Sequence, residues 1–149
     1  MTSIDYVEVA VVALPVATTL KSLDVILDQR LTFNEHATAV VKSCNYHARA
    51  IRHVRHLLTE SVAQTLACSR NRRLDYCNSL LYGAPEATVD KLQRAQNNAA
   101  RAVLSANGRA DARPLLRQLH WLPLRQRIFY KTAVLTRRAN TPYSAKHPH

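Results

Sequence analysis

A chain of 149 residues can form one domain with a modest core, and 47% apolar residues exclude a compositionally disordered polypeptide. Two glycines, Gly83 and Gly108, are too few for the turns of an all-β fold. The formal net charge of +11, with sixteen arginines among the 21 basic residues, points to a polyanionic partner, because guanidinium forks match phosphate oxygens.

The first 28 residues carry strand patterns. Tyr6 to Leu14 is valine-rich, and Leu23 to Asp28 is a short apolar run with β-branched residues. Pro15 and Thr18-Thr19 supply the connection between these two strands. From Glu35 the period becomes helical, with Asn34 as N-cap and Ala37, Val41, Cys44, Ala48, Ile51 and Leu58 on one face. A second segment starts at Thr59, turns Val62 and Leu66 inward, and runs towards Leu81. Gly83 takes the C′ position there and Pro85 follows. A third helix runs from about Glu86 to Ala106 with Leu92, Ala95, Ala99 and Ala102 inward, and Asn107-Gly108 stops it. A short helix spans Pro114 to Leu119. Leu122-Pro123 then opens a last helix with Leu124, Ile128 and Leu135 on its apolar side. The expected fold is mainly α: an N-terminal β-hairpin-like segment followed by a bundle of four to five helices. Residues 1–33 form the strand-rich segment, 34–139 the helical region and 140–149 a disordered tail.

Charge is unevenly placed. Residues 1–41 carry a net −3, whereas residues 42–73 carry +6 and residues 114–149 contain no acid. On the first helix the face opposite the apolar stripe aligns Lys42, Asn45, Arg49, Arg52 and His56 at spacings of three and four, with His53 and Arg55 flanking. The third helix repeats the pattern with Lys91, Arg94, Asn98 and Arg101. A solvated helix ordinarily mixes glutamates among its cations, but none lies between Lys42 and Leu58. Such a row, rising about 1.5 Å per residue, can follow a phosphate backbone, with asparagine bonding sugar or phosphate oxygens. Lys42, Asn45, Arg49, Arg52, Arg55, His56, Lys91, Arg94, Asn98 and Arg101 are the candidate nucleic-acid contacts.

Other chemistry finds little support. The six aspartates include no adjacent pair for two-metal work. Asp75, between Arg73-Leu74 and Tyr76, reads as a structural pair or cap. His53 and His56 have i,i+3 spacing but no cysteine pair beside them, so with His47 they belong to the basic surface. Cys68 and Cys77 fall on apolar helix phases as buried structural thiols. Three cysteines without a CxxC motif match a reducing compartment, and the N-terminus has no basic signal-like region. The apolar run Val9 to Ala17 is too short to span a bilayer. No cofactor, metal, membrane or small-molecule substrate is expected, and the location is cytoplasmic or nuclear.

Several blocks carry a resemblance. They are Leu20-Lys21-Ser22-Leu23-Asp24-Val25-Ile26-Leu27-Asp28 with Leu31-Thr32-Phe33-Asn34-Glu35-His36; Arg73-Leu74-Asp75-Tyr76-Cys77-Asn78-Ser79-Leu80-Leu81-Tyr82-Gly83; Leu92-Gln93-Arg94-Ala95-Gln96-Asn97-Asn98-Ala99-Ala100-Arg101; and Leu119-His120-Trp121-Leu122-Pro123 with Arg127 and Lys131 behind it. In this order and spacing they resemble the region after the catalytic palm in non-LTR (LINE-type, jockey- and CR1-like) retrotransposon reverse transcriptases, over roughly residues 7 to 140. The resemblance implies that the strands correspond to the end of the palm and a primer-grip-like hairpin, and the helices to the thumb and the segment beyond. That part of the family's proteins holds the template–primer duplex. The family's catalytic aspartates would lie upstream, so no polymerase activity is expected of this chain. Asp24 stands where the family pattern has glycine. Ser69-Arg70-Asn71-Arg72-Arg73 interrupts an apolar helix one residue short, which turns the following face by about 100° and is expected to place three arginines inward. The expected function is sequence-independent binding of RNA or an RNA–DNA hybrid. The alternatives are a domesticated or unrelated helical interaction protein, or a decayed copy without selected function.

Overall fold

The structure, a computed structural model, describes residues 6–9, 12–76 and 78–140. The chain is mainly helical behind two short antiparallel hairpins. Strands β1 (Tyr6–Val9) and β2 (Val12–Pro15) pair with Val9 opposite Val12, and β3 (Thr19–Ser22) and β4 (Val25–Asp28) pair with Ser22 opposite Val25. The expected pairing of one long strand over Tyr6 to Leu14 with Leu23 to Asp28 is therefore corrected: each half folds back on itself, and Thr19 lies in a strand. The reason is local. Leu23 and Asp24 have φ of 47° and 65°, the two left-handed residues of a tight hairpin turn whose twist matches its strands. This explains why glycine suits the position of Asp24. Here Asp24 is held by Lys21 at 3.2 Å and Arg73 at 2.9 Å.

Among the described residues six α-helices follow: α1 (Asn34–Val54), α2 (Glu60–Arg70), α3 (Arg72–Asp75), α4 (Glu86–Val103), α5 (Ala112–Gln118) and α6 (Leu124–Asn140). Asn34 is not the cap of α1. The chain enters through Phe33, which is left-handed at φ 56° and offers no side-chain cap. Asp28 organises the entry instead: its carboxylate accepts from the backbone N–H groups of Arg30, Thr32 and Phe33 and from the Thr32 hydroxyl, at 2.9 to 3.0 Å. The expected inward face of α1 holds at Ala37, Cys44, Ala48 and Ile51, and Val40 is more deeply buried than Val41. The helix ends at Val54 rather than Leu58, and a 3-10 turn over Arg55–Leu57 follows.

The second segment departs further from expectation. Helix α2 buries Ala63 and Ala67 and leaves Val62 and Leu66 exposed, because small side chains let it approach its neighbours closely. It breaks at Asn71, whose N–H bonds to the Ala67 carbonyl and whose own carbonyl accepts from Leu74 N–H. That turn resets the phase, so Arg70, Arg72 and Arg73 face solvent while Leu74 is buried. The run to Leu81 is completed by α3 and a 3-10 turn over Asn78–Leu81, and Gly83 has the expected left-handed φ of 81°.

Helix α4 is the axis of the bundle and packs against α1, α2, α5 and α6. Its expected inward residues Leu92, Ala95, Ala99 and Ala102 are all buried. It stops before Asn107-Gly108, because Ser105 turns left-handed at φ 51°; Ala106 N–H then reaches the Arg101 carbonyl and Ser105 N–H the Ala102 carbonyl. One hydrophobic cluster joins Val25 and Phe33 to Ala37, Val40, Leu74, Leu92 and Leu124, so the β3–β4 end shares the helical core. A second joins Ile51, Ala63, Ala67, Val103, Leu116 and Leu119. On α6, Leu124 and Ile128 are buried as expected, whereas Leu135 is 46% exposed because no element covers the distal half of the helix on that side among the described residues. Asn140, expected to begin the tail, is instead the last residue of α6; the rest of that expected tail, residues 141–149, and Cys77 lie outside the described residues.

Candidate nucleic-acid interface

Helices α1 and α4 lie side by side and run in the same direction, as three polar cross-links show. Lys91 Nζ, in the second turn of α4, donates to Asn34 Oδ1 at the start of α1, at 2.6 Å. Asn98 Nδ2 donates to Asn45 Oδ1 at 3.2 Å midway. At the far end Arg55 Nε donates to the Val103 carbonyl and Nη1 to the Leu58 carbonyl at 2.7 Å. The two sequence-predicted stripes therefore flank one seam. Beside it a pocket of about 210 Å³ is lined by Asn45, Ala48, Arg49, Arg52, Asn98 and Gly108.

The ten predicted contacts divide into two groups. Lys42, Arg49, Arg52 and Arg94 are exposed, and among the described residues no ion pair or hydrogen bond engages their side chains; His56 is exposed as well. The others have internal partners. Arg55 satisfies a carbonyl left open at the C-terminal end of α4, where its charge also suits the helix dipole. Arg101 donates Nε to the Ala110 carbonyl at 3.0 Å and Nη1 to Asn98 Oδ1 at 3.1 Å, pinning the loop after α4. Lys91 is tied to Asn34, and the two asparagines are tied to each other. The acids on α4 are engaged by α6: Arg125 meets Glu86 at 2.9 Å and Asp90 at 3.8 Å, which removes them as competitors for the cations near the seam.

Among the histidines, His47 is half-buried with its ring edge-on to Tyr46 at 5.4 Å, and His53 is exposed. Among the described residues no three His, Cys, Asp or Glu side chains converge as a metal ion would require. Cys44 is buried, and that desolvation pushes its thiol up to about 11. Cys68 corrects the expectation of a buried thiol. It is exposed, because Ala67 faces inward and the next residue lies about 100° around the helix. No helix of the described residues is long and apolar enough to cross a membrane.

A second set of contacts escaped the sequence reading. Asp75 is paired not with Arg73 but with Arg127, at 2.6 Å, and its carbonyl accepts from Lys131 at 2.9 Å. Gln96, 1% exposed, donates to the Leu122 carbonyl at 2.9 Å, and Gln93 Oε1 accepts from Leu124 N–H at 2.7 Å, filling an open donor at the start of α6. The only sequence signal was a glutamine four residues after Leu92, on an otherwise apolar stripe. These bonds join three of the four blocks quoted above to one another. Comparison of the chain with protein-family models, curated proteins and solved structures yields no match, so the site is characterised by its own geometry.

Proposed function

We propose that the chain is the post-palm part of a non-LTR retrotransposon reverse transcriptase and that, alone, it holds RNA or an RNA–DNA hybrid by the phosphate backbone without reading sequence. It is a binding module without polymerase chemistry, working in the cytoplasm or nucleus. The carrying observation is the row Lys42, Arg49 and Arg52 on one exposed side of α1, unpaired among the described residues, with Arg94 across the seam. Cations that already have carboxylate partners would exchange one pair for another on binding; these would gain a partner and release the counterions of the phosphates they replace. Arg55, Lys91 and Arg101 support this face by holding α1, α4 and the Ala110 loop in place.

The test is binding of a short RNA–DNA hybrid by fluorescence anisotropy across a salt series. The parent should lose affinity with a log–log slope of about 0.7 to 0.9 per phosphate contact. The triple variant Arg49→Ala, Arg52→Ala, Arg94→Ala should bind more weakly with a flatter slope. Parent-like affinity and slope in that variant would refute the proposal.

A second reading, a helical interaction protein, is favoured by one observation. Tyr82 and Phe129, 61% and 65% exposed, border two adjoining cavities of about 290 and 420 Å³ along α6. Concentration-dependent sedimentation that Phe129→Ser abolishes would favour it over the first.

A further inference from the structure

Away from the α1–α4 seam, a cavity of about 460 Å³ opens between α5 and the start of α6. Its shape follows from the way α5 ends. His120 is left-handed at φ 56°; its N–H bonds to the Arg117 carbonyl at 3.0 Å, and Trp121 N–H bonds to the Leu116 carbonyl at 2.8 Å. This is the paired-bond helix stop usually built on glycine, with its accompanying contact between the residue after the turn, Trp121, and Leu116 three places before the cap. The stop has two results. It brings the half-buried Trp121 beside Leu122 and Pro123 as one apolar wall over Leu116. It also uses up two carbonyls at the end of α5 that would otherwise repel an anion.

The rim is cationic. Arg113, Arg117 and His120 line the opening and are exposed. Arg117 and His120 have no side-chain partner among the described residues, and Arg113 has only Asp111 at 3.7 Å. A flat aromatic and proline wall facing two guanidinium forks matches a ligand that is planar and apolar at one end and multiply anionic at the other. We infer that this cavity takes one unpaired nucleotide of a single strand, its base against Trp121 and Leu122 and its phosphate on Arg113 and Arg117. The volume falls in the range of small-ligand sites, about 300 to 1,000 Å³, and stacking on an aromatic with cationic backbone contacts is how single strands are held without sequence preference. A base-paired nucleotide cannot present its face in this way, so the pocket distinguishes strand state where the α1–α4 row does not. The inference deepens the proposed function and rests on its premise that the chain holds nucleic acid, but it uses different residues.

Trp121 is the single tryptophan of the chain, so emission excited at the red edge, where tyrosine does not absorb, reports on this side chain. The full chain is titrated with a short oligouridine, with the hybrid duplex, and with adenosine monophosphate against ribose 5-phosphate. Oligouridine and adenosine monophosphate should quench Trp121, and ribose 5-phosphate should not. Arg113→Ala with Arg117→Ala, both at exposed positions, should weaken oligouridine binding about tenfold and leave hybrid binding within about twofold. Oligouridine that binds by anisotropy without changing Trp121 emission, or parent-like affinity in the double variant, overturns the pocket and leaves the α1–α4 proposal standing. Normal quenching together with an unaffected Arg49, Arg52, Arg94 variant does the reverse. If a phenylalanine-containing polyglutamate peptide displaces oligouridine at equal concentration, the cavity belongs to a protein partner and the inference falls.

Discussion

Asp75 and Arg127 meet at 2.6 Å across 52 residues of sequence, one just before the Asn78 turn and the other in the first turn of α6. Arg127 keeps 23% of its side-chain exposure and Asp75 52%, so water screens the pair, but Asp75 also bonds Asn78 Nδ2 and takes Lys131 on its carbonyl. A double-mutant cycle of Asp75→Asn and Arg127→Gln by urea denaturation should give a coupling of about 1 kcal/mol. A coupling indistinguishable from zero would show that the pair contributes no stability and that the two blocks are held by packing and the Lys131 contact instead.

Gln96 is the more demanding contact, because it is buried and, among the described residues, its amide is the one hydrogen-bond partner of the Leu122 carbonyl. Gln96→Leu preserves volume while stranding that acceptor. It should cost about 2 kcal/mol, more than an average core substitution of similar size. Calorimetry reads this directly, and a melting temperature equal to the parent's would mean that the loop finds water instead.

Two arginines of one predicted set should behave oppositely. Arg55 joins α4 to the turn after α1, so Arg55→Ala should lose about 1 to 2 kcal/mol of stability. Arg49 is exposed with no partner among the described residues, so Arg49→Ala should change stability by less than about 0.5 kcal/mol while weakening hybrid binding. Equal destabilisation by both would contradict the division of the stripe into structural and outward-facing cations.

Cys44 and Cys68 should separate just as cleanly under alkylation. A thiol buried in the core and pushed up to about 11 is both inaccessible and protonated near neutral pH, whereas Cys68 is exposed. Peptide mapping after native iodoacetamide treatment should find Cys68 modified and Cys44 untouched until urea is added. Native labelling of Cys44 would show that the α1 face opens.

The helices were legible because their inward positions recur at steps of three and four: Ala37, Cys44, Ala48 and Ile51 on α1, and Leu92, Ala95, Ala99 and Ala102 on α4. The errors share a cause. Hydrophobicity pointed to Val62 and Leu66, but close packing selected Ala63 and Ala67, and no residue type announces how near a neighbouring helix comes. The stop at Ser105, ahead of the expected end at Ala106, was invisible because left-handed residues other than glycine carry no strong composition signal. The cation row was readable as a row, yet which members it would lose to carbonyls at the far ends of other helices depends on contacts spanning some fifty residues, as with Arg55 and Val103.

Acid should loosen the hairpin end first. His36 is buried and its Nδ1 accepts the Ile26 N–H at 3.4 Å, tying β4 to α1. Burial lowers its pKa, and the charge of Arg73 acts in the same direction against the opposing pull of Asp24. In the unfolded chain the imidazole takes up its proton near pH 6.5; the folded chain resists until lower pH. His36 therefore costs no stability above that value, and stability falls as pH drops from there towards the lowered folded value. Asp24 and Asp28 act later. The first is held below its usual 3.8 by hydrogen bonds from Lys21 and Arg73, the second by the backbone N–H of Thr32, so their contribution is complete above that pH and lost as pH falls through the folded values. Urea midpoints should thus decline in two stages, and His36→Gln should flatten the upper stage while leaving the lower one. If the variant's midpoints run parallel to the parent's from neutral pH to about 5, the His36 contact does not control this end of the molecule.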